Sequence, residues 1–396
     1  MLGERRRVRR WVTVGVAALA AFAVTATLTS CSGGSTPRAE AQGNASPASV
    51  PAKPAKVGVT PADGAADVSP VAPVKVDVAD GTINDVALTN PEGRQVRGTL
   101  SPDRKSWTVG EELGYGKTYT WSGSAVGADG NQVPITGSFT TVRPARTISA
   151  SVNVGDHQTY GIAMPIMVIF SAPVPDKASV QKAMTVESSV PAEGAWGWMD
   201  NKTAVWRPKE YWKPGTQVTA KIKLYGVPHG EGAYGAQDVV STFTIGRSQI
   251  VRGNTSTHRM VVIRDGQQIA DYPASYGADF DPGRVTRNGT YWVMSRQNTV
   301  RMKNDKYNYD VVVNWGVQLS YNGEYVHAYD QSAWAQGKQN VSHGCVNLTT
   351  ARAKEYFDNA LVGDPVEITG SAIDIPPTGN DIWAVPWEMW VAKSAV

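Results

Sequence analysis

Two stretches of the sequence, offset by about 99 residues, repeat one order of tryptophan, glycine and strand-like segments, and this repeat limits the fold more than any other feature. In the first stretch Trp107 is followed nine residues later by Gly116, and in the second Trp206 is followed nine residues later by Gly215. Short alternating strands separated by Gly, Pro, Asn and Asp turns are typical of β-sandwiches, and a unit of roughly 100 residues matches an immunoglobulin-like domain.

We therefore predict a mainly β protein with two immunoglobulin-like β-sandwiches, at residues 57–145 and 146–248. Neither unit contains a cysteine, so both must fold without a disulfide. We expect Trp107, Trp121 and Trp206 in the cores, because a sandwich core needs bulky aromatic side chains. Stacking of these three tryptophans on sugars is the alternative.

The N-terminal segment has the features of a signal peptide. Residues 1–10 carry five arginines and one glutamate, residues 11–28 carry no charge, and the small Ser30 precedes Cys31. A basic start, an apolar stretch and a small residue before a boundary predict an exported protein, with residues 1–31 as the signal. An uncleaved membrane anchor is the alternative. Residues 32–56 are rich in Ser, Pro, Ala and Gly and read as a flexible tether.

The basic charge of the chain belongs to this N-terminal segment. The chain has 38 Lys and Arg against 35 Asp and Glu, and residues 1–30 hold five and one of them. The remaining 33 and 34 nearly cancel, so nothing in the composition indicates a nucleic-acid partner.

The next predicted domain, residues 249–373, is again mostly β. Alternating apolar residues from Val311 to Leu319 predict a strand, and Asn322-Gly323 predicts a tight hairpin turn. The returning strand, 324–329, places His327 on a rigid element rather than on a loop. One main helix is expected at about 351–361, with Thr350 as its N-cap.

Cys345, in the run Ser-His-Gly-Cys-Val-Asn at 342–347, is one of only two cysteines in the chain. A thiol needs a base to become a nucleophile, and an imidazole can take its proton and later return it to a leaving amine. His327, eighteen residues earlier, and His343 are the candidates. Gly344 allows close backbone approach, and the amides of Gly344 and Cys345 are candidates for an oxyanion site. One cysteine and two histidines lack a fourth ligand, so we expect neither a metal nor another cofactor.

These residues resemble the L,D-transpeptidase catalytic (YkuD) domain, and the upstream sandwiches resemble those of actinobacterial, mycobacterial-type lipoprotein members. The resemblance covers about residues 57–396. It implies that Cys345 is the nucleophile, that His327 is the base and that His343 and Gly344 belong to the catalytic machinery. It also implies a hairpin lid over the substrate channel at 291–313.

Substrate-contacting residues are expected from the same resemblance. They are Tyr309, Met294, Ser342, Asn347 and Trp315. The sequence departs from the family pattern at two positions. Many members have Arg at the position of Asn347, and some have Ser at the position of Ala328, so a hydroxyl role is excluded there.

The resemblance implies peptidoglycan cross-linking. The cysteine would attack a tetrapeptide stem at its third residue, release D-alanine and pass the acyl group to a side-chain amine of a second stem, giving a 3→3 cross-link. β-Lactams of the carbapenem class would be covalent inhibitors. Ser30-Cys31 resembles the lipobox of bacterial lipoproteins, which implies that Cys31 is lipidated and holds the protein on the outer face of the membrane, facing the wall. A Cys-His endopeptidase or carboxypeptidase and a non-catalytic wall-binding lipoprotein are the alternatives.

The last segment, residues 374–396, is rich in tryptophan. Trp383, Trp387 and Trp390 have the i, i+4, i+7 spacing of one helical face, although Pro386 falls among them. We predict a clasp that packs on the catalytic domain and the second sandwich, and membrane contact is the alternative.

Overall fold

The computed structural model of the chain describes residues 52–377 and 381–396. The predicted signal peptide, the lipidation site Cys31 and the tether up to residue 51 lie outside the described residues. Within the described ranges, no helix is long and apolar enough to cross a bilayer.

The first sandwich consists of two antiparallel-rich sheets around one core. Its strands are β1 (Lys56–Thr60), β2 (Ala65–Val68), β3 (Lys75–Ala79), β4 (Gly81–Thr89), β5 (Gly98–Leu100), β6 (Ser106–Val109), β7 (Thr118–Gly127), β8 (Gln132–Pro134) and β9 (Gly137–Thr141). One sheet has the order β1-β3-β6-β5, and the other has the order β2-β9-β7-β4 with β8 added to β7. Their facing side chains form a core of their own, which includes Trp107, Trp121 and Phe139.

The second sandwich repeats this two-sheet arrangement. Its elements are β10 (Arg146–Ile148), β11 (Ala150–Val152), β12 (Thr159–Tyr160), β13 (Ile166–Phe170), α1 (Lys177–Lys182), β14 (Met184–Ser188), β15 (Gly194–Trp198), β16 (Thr203–Pro208), β17 (Gln217–Ile222), β18 (Pro228–Gly230), β19 (Ala233–Gly235) and β20 (Val239–Ile245). The two main sheets have the orders β11-β13-β16-β15 and β12-β20-β17-β14, and a small sheet has the order β10-β19-β18. The mainly β fold class is thereby confirmed.

The repeat in the sequence corresponds to the same packing contact in both sandwiches. The ring of Trp107 covers Gly98 on the neighbouring strand, and the ring of Trp206 covers Gly194. A Cβ atom at either glycine would lie 2.0 Å from the tryptophan ring, so only glycine fits beneath it. Trp107 and Trp206 are 6% and 7% exposed, and Trp121 is 2% exposed, which excludes sugar stacking on them.

The third domain combines two sheets and the predicted helix. Its elements are β21 (Gln249–Asn254), β22 (Arg259–Arg264), β23 (Gln267–Pro273), β24 (Gly289–Trp292), β25 (Ser295–Asn304), β26 (Tyr309–Gln318), β27 (Tyr325–Ala328), β28 (Val346–Leu348), α2 (Thr350–Asn359) and β29 (Pro365–Thr369), with a 3-10 turn at Asp330–Ser332. The sheet orders are β23-β22-β21-β29-β24 and β25-β26-β27-β28. A core that includes Val317, Val326 and Tyr356 lies between the sheets and α2.

Helix α2 begins differently from the prediction. Thr349 is the capping residue, and its side chain makes no capping hydrogen bond. Thr350 is instead the first helical residue, and Asp330 accepts hydrogen bonds from its backbone N–H (2.8 Å) and its hydroxyl (2.7 Å). A carboxylate near a helix N-terminus is favourable because that end carries partial positive charge, and here it comes from another segment of the chain.

The second sandwich and the third domain share one apolar core. Trp292 of β24 and Trp390 of the C-terminal segment belong to the same buried cluster as Phe170 and Trp206. The backbones also meet, since the N–H of Gly161 donates to the carbonyl of Val362 at 2.7 Å. The second sandwich is therefore part of the surroundings of the third domain and is more than a spacer.

The tryptophans of the C-terminal segment do not lie on one helix, so the prediction of a single helical face is wrong. A 3-10 turn (Ile382–Ala384) and α3 (Trp387–Val391) are separate elements, because Pro386 interrupts the backbone hydrogen bonding between them. The three indole rings instead surround the buried guanidinium of Arg207, at 5.0 Å for Trp383, 5.4 Å for Trp387 and 5.1 Å for Trp390. The Nε1–H of Trp390 donates to the carbonyl of Ala195 at 3.0 Å.

Candidate active site

The parallel pair β27–β28 brings the predicted histidine and cysteine together. In this pair His327 lies opposite Asn347. Cys345 immediately precedes β28, and the same register places it level with Tyr325. Both side chains line one cavity of about 170 Å³. The other lining residues come from the β25–β26 hairpin, from Tyr329, from the loop before Cys345 and from β28; they are Met302, Tyr309, Val311, Val313, Tyr329, Val341, Ser342, His343 and Asn347.

The backbone fixes the tautomer of His327. Its Nδ1 lies 3.0 Å from the carbonyl oxygen of Ala328, which can only accept, so Nδ1 carries the hydrogen. The lone pair is therefore on Nε2. Burial lowers the pKa of His327 to about 4, and the hydrogen bond to Ala328 opposes this shift. At neutral pH the imidazole is unprotonated and ready to accept a proton.

The Cys345 thiol is buried and protonated in the resting site. Its Sγ donates to the carbonyl of Gly323 at 3.6 Å. Burial raises the pKa of Cys345 to about 12, the charge of Glu324 raises it further, and the backbone N–H of Tyr325 opposes the shift. The two residues are thus a neutral thiol and a neutral imidazole that line one cavity.

The loop before the cysteine is held by its own hydrogen bonds. The Ser342 hydroxyl donates to the carbonyl of Cys345 at 2.6 Å and accepts from the N–H of Gly344 at 3.2 Å. Gly344 has φ of 118°, a conformation that favours glycine, and its carbonyl accepts from the Thr286 hydroxyl at 2.9 Å. The Gly344 amide is therefore bonded to Ser342 in this structure, and its expected part in an oxyanion site stays a prediction. Both of these hydrogen bonds of the Ser342 hydroxyl are made within the loop, and Ser342 also lines the cavity, so its expected substrate contact stays a prediction.

His343 lies between two tyrosines of the β25–β26 hairpin. Its ring centroid is 4.7 Å from that of Tyr309 and 5.1 Å from that of Tyr307. Partial burial lowers the pKa of His343, the charge of Arg284 lowers it further, and Asp281 acts in the opposite direction. Burial likewise raises the pKa of Tyr309, and the nearby Cys345 adds to that shift. Tyr309 and Cys345 thus line the same cavity, and the role of Tyr309 in a lid stays a prediction.

Two residues that position the loop were missed by sequence reasoning. Arg284 donates to the carbonyls of Val341 (2.6 Å) and Ser342 (3.1 Å), and Thr286 contacts the Gly344 carbonyl. Both precede the loop by 57 or 58 residues, and their pattern in the sequence carries no signal of this contact.

Asn347 extends the polar wall of the cavity. Its Nδ2 donates to the Ser332 hydroxyl at 3.2 Å. Its Oδ1 is buried and, within the described residues, has no hydrogen-bond partner. A buried acceptor without a partner is destabilising.

The structure places two of the expected substrate-contacting residues away from the cavities, and the lid boundaries differ. Met294 packs against the core that the second sandwich shares, and Met302, on the hairpin, lines the cavity in its place. Trp315 packs on α2, 5.4 Å from the ring of Phe357, and lines neither of the two cavities beside Cys345. The covering hairpin consists of β25 and β26, whereas residues 291 and 292 belong to the buried strand β24.

A second, larger cavity of about 470 Å³ adjoins the first. Met302, Tyr309 and His343 line both cavities, so they form the boundary between them. Gly344 and Glu324 line the second cavity, beside the residue that carries the thiol. Among the described residues no group of three or more His, Cys, Asp or Glu side chains is placed to hold a metal ion.

Comparisons with known proteins agree with this geometry. The family model for the L,D-transpeptidase catalytic domain matches residues 248–368, and that for the bacterial Ig domain matches residues 65–228. L,D-transpeptidase 5 of Mycobacterium tuberculosis is 48% identical over 343 residues, which cover 85% of this chain and 76% of that protein. L,D-transpeptidase 2 of the same species is 36% identical, over 84% of this chain and 83% of that protein. A solved structure of L,D-transpeptidase LdtMt1 in complex with imipenem is 31% identical, with a TM-score of 0.48, and covers 55% of this chain and 97% of that one.

Proposed function

The chain belongs to the L,D-transpeptidase family, and from this premise we propose that Cys345 and His327 carry out a peptidoglycan cross-linking reaction. The observation that supports this proposal most directly is the hydrogen bond from Nδ1–H of His327 to the carbonyl of Ala328. It leaves Nε2 free to act as a base, and His327 lines the same cavity as the thiol. Neither group is charged at rest, so the nucleophile forms only when a carbonyl is in place to accept it.

In the first half-reaction the Cys345 sulfur attacks the carbonyl of the third residue of a tetrapeptide stem. His327 takes the thiol proton and returns it to the amine of the departing D-alanine, so a carbon–sulfur bond forms and a carbon–nitrogen bond breaks. The backbone N–H of Cys345 stabilises the oxyanion, since that of Gly344 is bonded to Ser342.

In the second half-reaction a side-chain amine of another stem attacks the thioester. The product is a 3→3 cross-link, and the thiol is regenerated. Water as the acceptor would give the carboxypeptidase outcome, and the same site supports it chemically.

The test uses purified protein and a disaccharide-tetrapeptide. We expect cross-linked dimer and free D-alanine by mass spectrometry. Tripeptide monomer alone would indicate a hydrolase, and unchanged substrate would indicate a non-catalytic wall-binding protein. Cys345→Ala should abolish turnover while its melting curve matches the wild type, and retained turnover would refute the assignment of the nucleophile.

Inhibition by β-lactams belongs to the same proposal. LdtMt1 has been solved in complex with imipenem, and the reactive β-lactam carbonyl would meet the same thiol here. We expect a carbapenem to add its mass once, at Cys345. A second adduct, or an adduct on the Cys345→Ala variant, would place the reactive group elsewhere.

Anchoring at the membrane completes the proposal. The signal-like residues 1–31 would end at a lipidated Cys31, and residues 32–56 would hold the protein away from the outer face of the membrane. Within that arrangement, residues 57–145 and 146–248 are the two sandwiches, 249–373 the catalytic domain and 374–396 the clasp. Metabolic labelling with a fatty-acid analogue should mark the wild type and not Cys31→Ala, and equal labelling would contradict the anchor.

A further inference from the structure

Glu324 places a carboxylate close to the Cys345 thiol. Its neighbours in sequence both contact the nucleophile, Gly323 through its carbonyl and Tyr325 through its N–H. A Cβ atom at Gly344 would lie 3.8 Å from Cγ of Glu324, so the acidic side chain passes beside the residue before Cys345. A carboxylate here opposes formation of a thiolate. Activation of the nucleophile therefore does not explain its presence.

The second cavity contains an unpaired charge of each sign. Glu324 is the only carboxylate that lines it, and Arg287, Arg301 and Lys303 are its cations. Arg301 is paired with Asp310 at 2.6 Å, and Lys303 is paired with Asp305 at 2.9 Å. Within the described residues neither Glu324 nor Arg287 belongs to a salt bridge, with each other or with a third group.

Local contacts hold Glu324 in place without neutralising it. One carboxylate oxygen accepts a hydrogen bond from the Ser320 hydroxyl. The backbone carbonyl of Glu324 accepts from the N–H of Leu319 at 2.9 Å and closes the hairpin turn. The charge of Glu324 raises the pKa of Asp381 and of Tyr291, and the charge of Arg287 lowers both, so all four residues lie close together. Glu324 and Arg287 therefore lie near the same two residues.

We propose that Glu324 and Arg287 bind the amino-acid head group of the acyl acceptor, with Glu324 receiving the ammonium and Arg287 the carboxylate on the same carbon. This inference rests on the proposed function. A carboxylate and a guanidinium that are not bonded to each other can bind the ammonium and the carboxylate of a zwitterion. Charge-assisted hydrogen bonds of this kind are stronger than those between neutral groups. The wall of the cavity beside Gly344 brings such an amine next to the thioester.

The bound ammonium releases one proton to solvent, and the neutral amine attacks the acyl carbon. A carbon–nitrogen bond forms, the carbon–sulfur bond breaks, and the second amine proton returns through His327 to the sulfur. Glu324 acts by binding and orienting the amine, and no oxidant or further co-reactant is needed.

The test compares two tripeptide stems as acceptors, which lack D-alanine and so cannot act as donors. One carries a carboxylate beside its side-chain amine, and the other carries a carboxamide. Glu324→Gln should raise the KM of both acceptors about tenfold or more and lower the ratio of cross-linked to hydrolysed product. Arg287→Gln should raise the KM for the carboxylate stem alone. The expected preference of the wild type for the carboxylate stem over the carboxamide stem should then disappear. Glu388→Gln, an exposed charge loss on α3, is the control.

The same chemistry could serve the departing D-alanine instead of the acceptor, and the donor half-reaction distinguishes the two. D-Alanine release is measured without acceptor, together with the melting temperature of each variant. If both variants slow this release as much as they slow transfer, the pair serves the leaving group and the proposal is overturned. Wild-type acceptor KM in Glu324→Gln overturns it too. Glu324→Asp, which keeps the charge, should recover part of the acceptor affinity. Absence of any acyl-enzyme on the wild-type protein would instead refute the proposed function.

Discussion

Trp390→Ala should destabilise the second sandwich and the catalytic domain together. The Trp390 side chain is 0% exposed, and its Nε1–H donates to the carbonyl of Ala195. Its ring also lies against Gly197, where a Cβ would be 3.1 Å from the indole, and against the Arg207 guanidinium. Truncation removes a fully buried aromatic side chain, leaves a cavity and takes a donor from a backbone carbonyl.

The size of the effect follows from these contacts. A buried Trp→Ala change costs about 3–5 kcal/mol in unfolding free energy. For a cooperative unit of 150–250 residues, each kcal/mol lowers the melting temperature by about 2–4 °C, so the expected shift is about 6–20 °C. Trp334→Ala is the matched control because Trp334 is 63% exposed, and its shift should correspond to less than about 0.5 kcal/mol.

Calorimetry and limited proteolysis on the two variants test this expectation. The first sandwich has its own core, so its transition serves as an internal reference in the same scan. Acylation of Trp390→Ala should persist well below its melting temperature and be lost with unfolding. An unchanged melting curve would refute the clasp, and if it were accompanied by weaker binding to liposomes, the membrane interpretation of the segment would be preferred.

Three further perturbations test other parts of the structure. Gly194→Ala should cost about 1–3 kcal/mol because its methyl group would meet an indole ring at 2.0 Å, whereas Gly58→Ala meets only an ordinary contact at 3.8 Å; equal melting temperatures would contradict the shared packing motif. Burial lowers the pKa of His229 to about 4, so its contribution to stability is complete above pH 6.5 and is lost as the pH falls toward 4. His229→Leu should therefore flatten the pH dependence of the melting temperature between pH 7 and 4, and an unchanged slope would exclude this histidine as the cause. A fragment of residues 249–396 should melt lower and be proteolysed faster than 146–396, because it exposes the shared core; equal stability would restore the spacer interpretation.

Local patterns in the sequence were sufficient where the structure depends on near neighbours. The Asn322-Gly323 turn predicted a strand for His327, and the tryptophan–glycine repeat predicted two sandwiches. The family and the mainly β fold class are confirmed. In each case the responsible contact is a turn or a neighbouring strand, which residue type and spacing can indicate.

Contacts between distant segments were not visible in the sequence. The spacing of the C-terminal tryptophans indicated a helix, but their attraction to Arg207 and the break at Pro386 gave a different arrangement. Met294 and Met302 are equally plausible as lining residues until the hairpin register is known. The occupation of the Gly344 amide by Ser342 depends on side-chain rotamers, which spacing alone does not specify.

The contacts between α1, β15 and the C-terminal segment also set an order of folding. Trp390 bonds to a strand 195 residues earlier, and the N–H of Ala395 donates to Gln181, 214 residues earlier. Such long loops close late, since their entropy is lost before any contact compensates for it. The first sandwich can mature as soon as it emerges, whereas the second must wait for residues made nearly 200 positions later. In refolding followed by protease resistance, we expect residues 57–145 to become protected first; simultaneous protection of both sandwiches would contradict this sequence of events.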